Sequence, residues 1–204
     1  MATLRPIRGE SAEPIGLHTH AIDNLRYIRQ TMESANAFTA VPGWGGVGMG
    51  LTALAAAVVA EWLAPHDMWL PVWLLEGTVA LVIGMIAMFQ KSKSVGLPLW
   101  SAPARKCAFS FIPPMVAGGL LTLAMWRSGH PELIAGTWLL LYGTAVITGG
   151  AFSVRAIPLM GILFLLGGAA GLFMPLAWQN LWLGACLGGL HMGFGFYIAR
   201  NYGG

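Results

Sequence analysis

Charge is what this sequence has least of. Only 9% of its 204 residues are Asp, Glu, Lys or Arg, against 56% hydrophobic, where a soluble domain carries about 25% charged residues. So few charges cannot cover a water-facing surface, and a soluble fold is excluded. Cysteine is nearly missing too. Cys107 sits at the edge of one apolar run and Cys186 inside another, which gives neither a disulfide framework nor a thiolate metal cluster. HExxH, GxSxG and DxD patterns are absent, and neither Ser110 nor Cys107 has a histidine nearby in sequence; no catalytic, metal or cofactor site is expected. The first forty residues are polar, so no cleavable signal peptide is expected ahead of the apolar runs.

What is there is length of apolar sequence. Crossing ~30 Å of hydrocarbon takes about 20 apolar residues, and six stretches qualify: Val41–Trp62, Met68–Phe89, Phe109–Trp126, Leu133–Phe152, Ile157–Pro175 and Trp178–Arg200. The expected fold is all-α and polytopic, with six transmembrane helices in a domain over 41–204. Six spans put both termini on one side. That side then holds Arg5, Arg8, Arg26, Arg29, Lys91, Lys93, Arg105, Lys106, Arg155 and Arg200, while the other holds only Arg127. Basic loops stay inside, so both termini are expected in the cytoplasm of a bacterial inner membrane. The net charge of +3 is therefore a topology signal and no pointer to nucleic acid. Trp62, Trp69, Trp73, Trp126, Trp138, Trp178 and Trp182 fall at the opposite ends of the spans and are expected to form an aromatic belt there.

Residues 1–18 lack periodicity and contain Pro and Gly, so a flexible lead is expected. Over 19–35, Ile22, Leu25, Ile28 and Met32 recur at helical spacing, with Arg26 and Arg29 on the other face. This predicts an amphipathic helix lying in the cytoplasmic interface, either as a lipid anchor or as a docking surface for a soluble partner. The loop over 90–106 carries Lys91, Lys93, Arg105 and Lys106 around an LPLWSAP core. Anionic lipid, at about 1 kcal/mol per nearby basic residue, accounts for that cluster.

The spans come in pairs, a proline-led run followed by a tryptophan-led run. VPGWGG, IPPMVAGG and IPLMGILF open the first members; VWLLEGTVALVIGMIAMF, TWLLLYGTAVITGGAFSVR and LWLGACLGGLHMGFGFYIAR are the second. Trp138 and Trp182 are 44 residues apart, as are Pro114 and Pro158. Three two-helix hairpin repeats are expected, related by an axis along the membrane normal. Helices patterned like LLEGTVALVIGMIA in three short hairpins resemble the HdeD-type family of small bacterial acid-resistance membrane proteins, which implies the same architecture. GGLHMGFGFYIARNYGG together with HAIDNLRYIRQTMESA is similar to an uncharacterised family of small bacterial polytopic membrane proteins, which implies no activity.

Two ionisable residues lie well inside spans, Glu76 and His191. An ion costs several kcal/mol in lipid, so both are pointers. With the tryptophan anchors taken as level, Tyr142 is expected beside Glu76, sharing a hydrogen bond with a protonated carboxyl, and Thr148 beside His191. Each of the four reads either as a helix-packing group or as a polar station on a pathway. Small-residue pairs at Gly167/Gly171, Gly184/Gly188 and Gly189/Gly193 suit close helix association, within the chain or between copies in a homo-oligomer. Two functions follow. The first is a structural or accessory membrane protein acting through helix faces and its amphipathic helix on lipid or on a membrane or cytoplasmic protein partner. The alternative is a small-molecule or proton-linked transporter with Glu76 and His191 in its pathway.

Overall fold

The computed structural model describes residues 22–28, 31–32, 41–63, 68–94, 96 and 101–202. The expected lead over 1–18 lies outside them, as do parts of the 19–35 helix, Arg29 included. The chain divides into two units, Met1–Asn36 and Ala37–Gly204. In the first, α1 (22–28) is helical, as are residues 31–32, where the Thr31 hydroxyl donates to the Tyr27 carbonyl at 2.7 Å. Ile22, Leu25, Ile28 and Met32 are all exposed.

The second unit is a helical bundle; no strand occurs among the described residues. Its elements are α2 (Gly43–Val58), continued by a π turn Val59–Leu63; α3 (Trp69–Ser94); α4 (Ala102–Ser128); and α5 (Ile134–Gly150), led by a 3-10 turn. Then come α6 (Ala156–Gly171) and a last rod in which α7 (Gln179–Leu183), a π segment Gly184–Leu190 and α8 (His191–Tyr202) run on without a break. Five helices are long and apolar enough to cross a membrane: Gly43–Trp62, Trp69–Ser94, Ala104–Ser128, Pro131–Gly150 and Leu176–Tyr202. The sixth, α6, has 16 residues.

The boundaries differ most around the expected 90–106 loop. α3 runs on through Ser94 and α4 starts at Ala102, shrinking the connection to 95–101. Lys91 and Lys93 fall in the last turn of α3, where positive charge complements the exposed carbonyls, so polar residues extend that helix. Ser101 caps α4 by accepting from the Ala104 amide at 3.4 Å. At its far end Gly129, with φ 79°, closes α4 in a left-handed cap.

The helix pairs that pack together run antiparallel. On α2 and α3, Gly45 meets Ala87 and Thr52 meets Glu76. On α4 and α5, Cys107 meets Gly149 and Thr122 meets Trp138. On α5 and α6, Gly136 meets Leu172 and Gly143 meets Gly161. Gly171 of α6 meets Trp182 of α7. The last rod closes on α2, with Gly46 against Gly195 and Gly50 against Gly188. One end of the bundle thus gathers Lys91, Lys93, Arg105, Lys106, Arg155 and Arg200; the other has Arg127, Glu61 and Glu132.

Burial ranks the helices. The span containing α5 is 56% buried, those of α3 and α4 only 11% each. α5 is therefore the hub, with Ile134 and Leu139 wholly enclosed, while α3 and α4 turn most of their apolar surface outward. Helices meet so closely because their contact rows are glycine: a Cβ on Gly143 would stand 2.8 Å from both the Gly161 oxygen and the Leu165 nitrogen. In lipid, where burial of apolar surface drives nothing, such backbone approach is what holds helices together.

Candidate functional site

The two intramembrane ionisable residues mark two separate polar contacts. Glu76 is buried between α2 and α3 at 8% exposure, and its Oε1 accepts from the Thr52 hydroxyl at 3.1 Å. That partner is a hydroxyl on α2. The expected contact with Tyr142 on α5 is not formed.

Tyr142 instead reaches His191. Its Oη lies 2.7 Å from His191 Nε2, and His191 Nδ1 lies 2.7 Å from the Leu187 carbonyl. A carbonyl only accepts, so Nδ1 carries a proton. In the neutral ring Nε2 is then the acceptor and the tyrosine hydroxyl the donor. Phe164 of α6 closes the group, its ring 5.0 Å from that of Tyr142 and 5.3 Å from that of His191 between centroids. Phe111 of α4 adds an edge contact at 5.9 Å. Four helices therefore meet at this point, and both polar side chains end up satisfied inside it.

Depth explains why the expected pairs were displaced. Trp69, not Trp73, stacks on Trp138, 5.7 Å between centroids and 15° between planes. That sets α3 about one turn deeper than level anchors imply, and carries Glu76 past Tyr142. On the last rod the π segment Gly184–Leu190 departs from α-helical phase between Trp182 and His191, so residue spacing there does not give the neighbours of His191.

Thr148 has a different task. Pro114 interrupts α4 and cannot donate to the carbonyl one turn back, that of Ser110. The Thr148 hydroxyl lies 3.1 Å from that oxygen, and 2.9 Å from the Thr144 carbonyl of its own helix. It stands where an orphaned carbonyl in an apolar setting needs a donor. The signal was legible: a proline inside a span demands a hydroxyl from a neighbour.

Sequence reading missed a third cluster, near the acidic end. Asn180 Oδ1 accepts from Trp69 Nε1 at 2.8 Å and from Trp73 Nε1 at 3.0 Å. Its Nδ2 donates to Glu61 Oε2 at 2.9 Å. One amide so ties α3, α7 and the π turn after α2. Two other indoles are likewise bound inside, Trp138 to the Thr122 hydroxyl at 2.6 Å and Trp182 to the Gly167 carbonyl at 2.8 Å. The expected aromatic belt is thus split. Trp62, Trp126 and Trp178 are exposed, whereas Trp69, Trp73, Trp138 and Trp182 tie helices together.

Of the basic set, Lys91 donates to the Tyr202 carbonyl at 3.2 Å, and the Lys93 ammonium lies 4.3 Å from the Phe89 ring centroid. Arg105 and Lys106 are exposed, and the Lys106 ammonium is 5.9 Å from the Phe152 ring. Among the described residues no group of three or more His, Cys, Asp or Glu could hold a metal ion.

Fold and contacts define the class: an all-helical, multi-pass membrane protein whose polar side chains join helix to helix. No family model, curated protein or solved structure was found to match the chain.

Proposed function

We propose that this is a small integral membrane protein of structural or accessory role, acting through its helix faces and the helix over 19–35 on lipid or on a partner protein. One observation carries the reading: the two ionisable side chains placed inside the spans are held in helix-to-helix contacts, Glu76 by Thr52 and His191 by Tyr142 and the Leu187 carbonyl. The glycine rows that close α5 on α6 and α2 on the last rod leave the centre packed. On this reading α6 is the sixth crossing, the helices pair as three hairpins, and the basic end with both termini faces the cytoplasm of a bacterial cell.

The transporter reading draws on one feature, the π segment that ends at His191, since π segments recur where a helix serves a ligand. Proton flux into vesicles separates the two. The accessory role predicts no flux above protein-free vesicles and a near-silent Glu76→Gln, because the amide keeps the shape and accepts the Thr52 bond. Flux in the wild type that vanishes in a well-folded Glu76→Gln variant would replace this proposal with the transporter.

Orientation has its own test. In a chain with Cys107 and Cys186 changed to Ala, single cysteines at Ser94 and His130, both exposed, are expected to label from opposite sides. An impermeant thiol reagent should reach position 130 in intact cells and position 94 only after lysis. Labelling of both in intact cells sinks the six-span topology.

A further inference from the structure

At the basic end, α2 and α3 part to leave a cleft of about 560 Å³, within the ~300–1,000 Å³ typical of ligand sites. We propose that it holds one anionic phospholipid of the leaflet on that side. The inference rests on the membrane reading of the chain, and holds whether the role is accessory or transport.

The lining is chemically two-part. Trp44, Ile83, Ile86 and Ala87 make an apolar wall, and Gln90 and Lys91 stand at its rim. The floor is fixed, because Gly45 and Ala87 touch so closely that a Cβ on Gly45 would lie 2.5 Å from that of Ala87. Trp44 is held upright by an edge contact to Phe196 at 6.3 Å. Among the described residues no acidic side chain lines the cleft. Glu76, the acid nearest to Lys91 in sequence on α3, lies 15 residues away, or about 22 Å along the helix at ~1.5 Å per residue.

Lys91 supplies the charge. An ammonium has three donors, and the recorded bond to the Tyr202 carbonyl uses one, which holds the group at the rim with donors to spare. The first turn of α2, with no side-chain cap from Pro42 and no acidic residue, adds the positive end of its helix dipole at the same end of the bundle. Lys93 and Arg200, at the same end of the bundle, reinforce the sign of the field. An acyl chain against Ile83 and Ile86, with its phosphate at Lys91 and Gln90, matches both parts. A zwitterionic lipid matches the wall but gains less at the rim.

The test uses the full chain in mild detergent. Native mass spectrometry counts retained lipid, and thermal melting is followed with phosphatidylglycerol, phosphatidylcholine or inorganic phosphate added. One phosphatidylglycerol should be retained and should raise the melting temperature, with phosphatidylcholine and phosphate weaker. Lys91→Gln should weaken phosphatidylglycerol about five-fold, the weight of one basic residue near an anionic surface. Lys93→Gln, the same charge change outside the lining, should change it less than about two-fold on the same scale. Ile86→Trp fills the cleft without altering charge and should also cost retention; it reads the site even if Lys91→Gln folds poorly. Equal losses for Lys91→Gln and Lys93→Gln would mean diffuse surface attraction and overturn the site. So would full retention in Ile86→Trp, equal stabilisation by inorganic phosphate, or a polypeptide found in the cleft in place of lipid.

Discussion

Replacing Gly143 by Val is expected to remove the folded protein. The added Cβ would stand 2.8 Å from the Gly161 oxygen and 2.8 Å from the Leu165 nitrogen, with Phe164 Cβ at 3.0 Å. Two of these are main-chain atoms of α6 that no rotamer change can move aside. Overpacking a close-packed interior costs about 1–3 kcal/mol and at times more; a clash with backbone on the hub helix belongs at or above the top of that range. Gly119→Val and Gly189→Val are the controls, since nothing lies within 4 Å of a Cβ at either position. Size-exclusion profiles in detergent should show a monodisperse peak for both controls and none, or a small aggregated one, for Gly143→Val. A wild-type profile for Gly143→Val would mean that α5 and α6 do not meet as described.

The second large effect is expected at Asn180. Asn180→Leu keeps the volume and leaves the Trp73 indole N–H, at 2% residue exposure, with no acceptor. An unsatisfied buried donor costs about 1–3 kcal/mol, and the half-buried Trp69 adds a smaller share. Exposed Glu61 returns to water at little cost. A loss of about 2–3 kcal/mol should appear as a clear drop in melting temperature. Tryptophan emission should shift to the red before the main transition, because the two indoles loosen first. Asn180→Asp discriminates the cause: both indoles keep their acceptor, but the donor to Glu61 becomes a like charge, so the loss should be intermediate. An unchanged melting curve for Asn180→Leu would show that the amide is incidental.

Five of the six expected spans were legible as long apolar helices, because a bilayer sets their length and composition, whatever they pack against. Helix ends were less so. Lys91 and Lys93 read as loop by polarity, yet the last turn of a membrane helix welcomes cations. Contacts were least legible, since they depend on relative depth and rotation. The π segment before His191 shifts helix phase and the one-turn offset of α3 against Trp138 shifts depth, and both leave composition unchanged. The glycine rows show the same limit. Gly184 and Gly188 do seat α2, against Ala57 and Leu54, and Gly167 and Gly171 seat Cys186 and Trp182, but Gly189 and Gly193 face open space. Spacing showed where close approach is possible, and only the fold chose among the faces.

The shortness of α6 has a consequence for the membrane itself. Its 16 residues reach about 24 Å at ~1.5 Å each, some 6 Å less than the ~30 Å hydrocarbon layer. Leu159, Ile162, Leu163 and Leu166 are exposed along it, and on the six-span proposal lipid tails meet this short face while the neighbouring long helices ask for full thickness. With α6 as a crossing helix, the bilayer is pinched on one flank of the protein, at a cost of fractions of a kcal/mol per ångström. Such one-sided mismatch draws a protein toward thinner or more compliant patches and toward partners that relieve the pinch. The shortest crossing rod, rather than any charged residue, would then decide where in the membrane plane this protein resides.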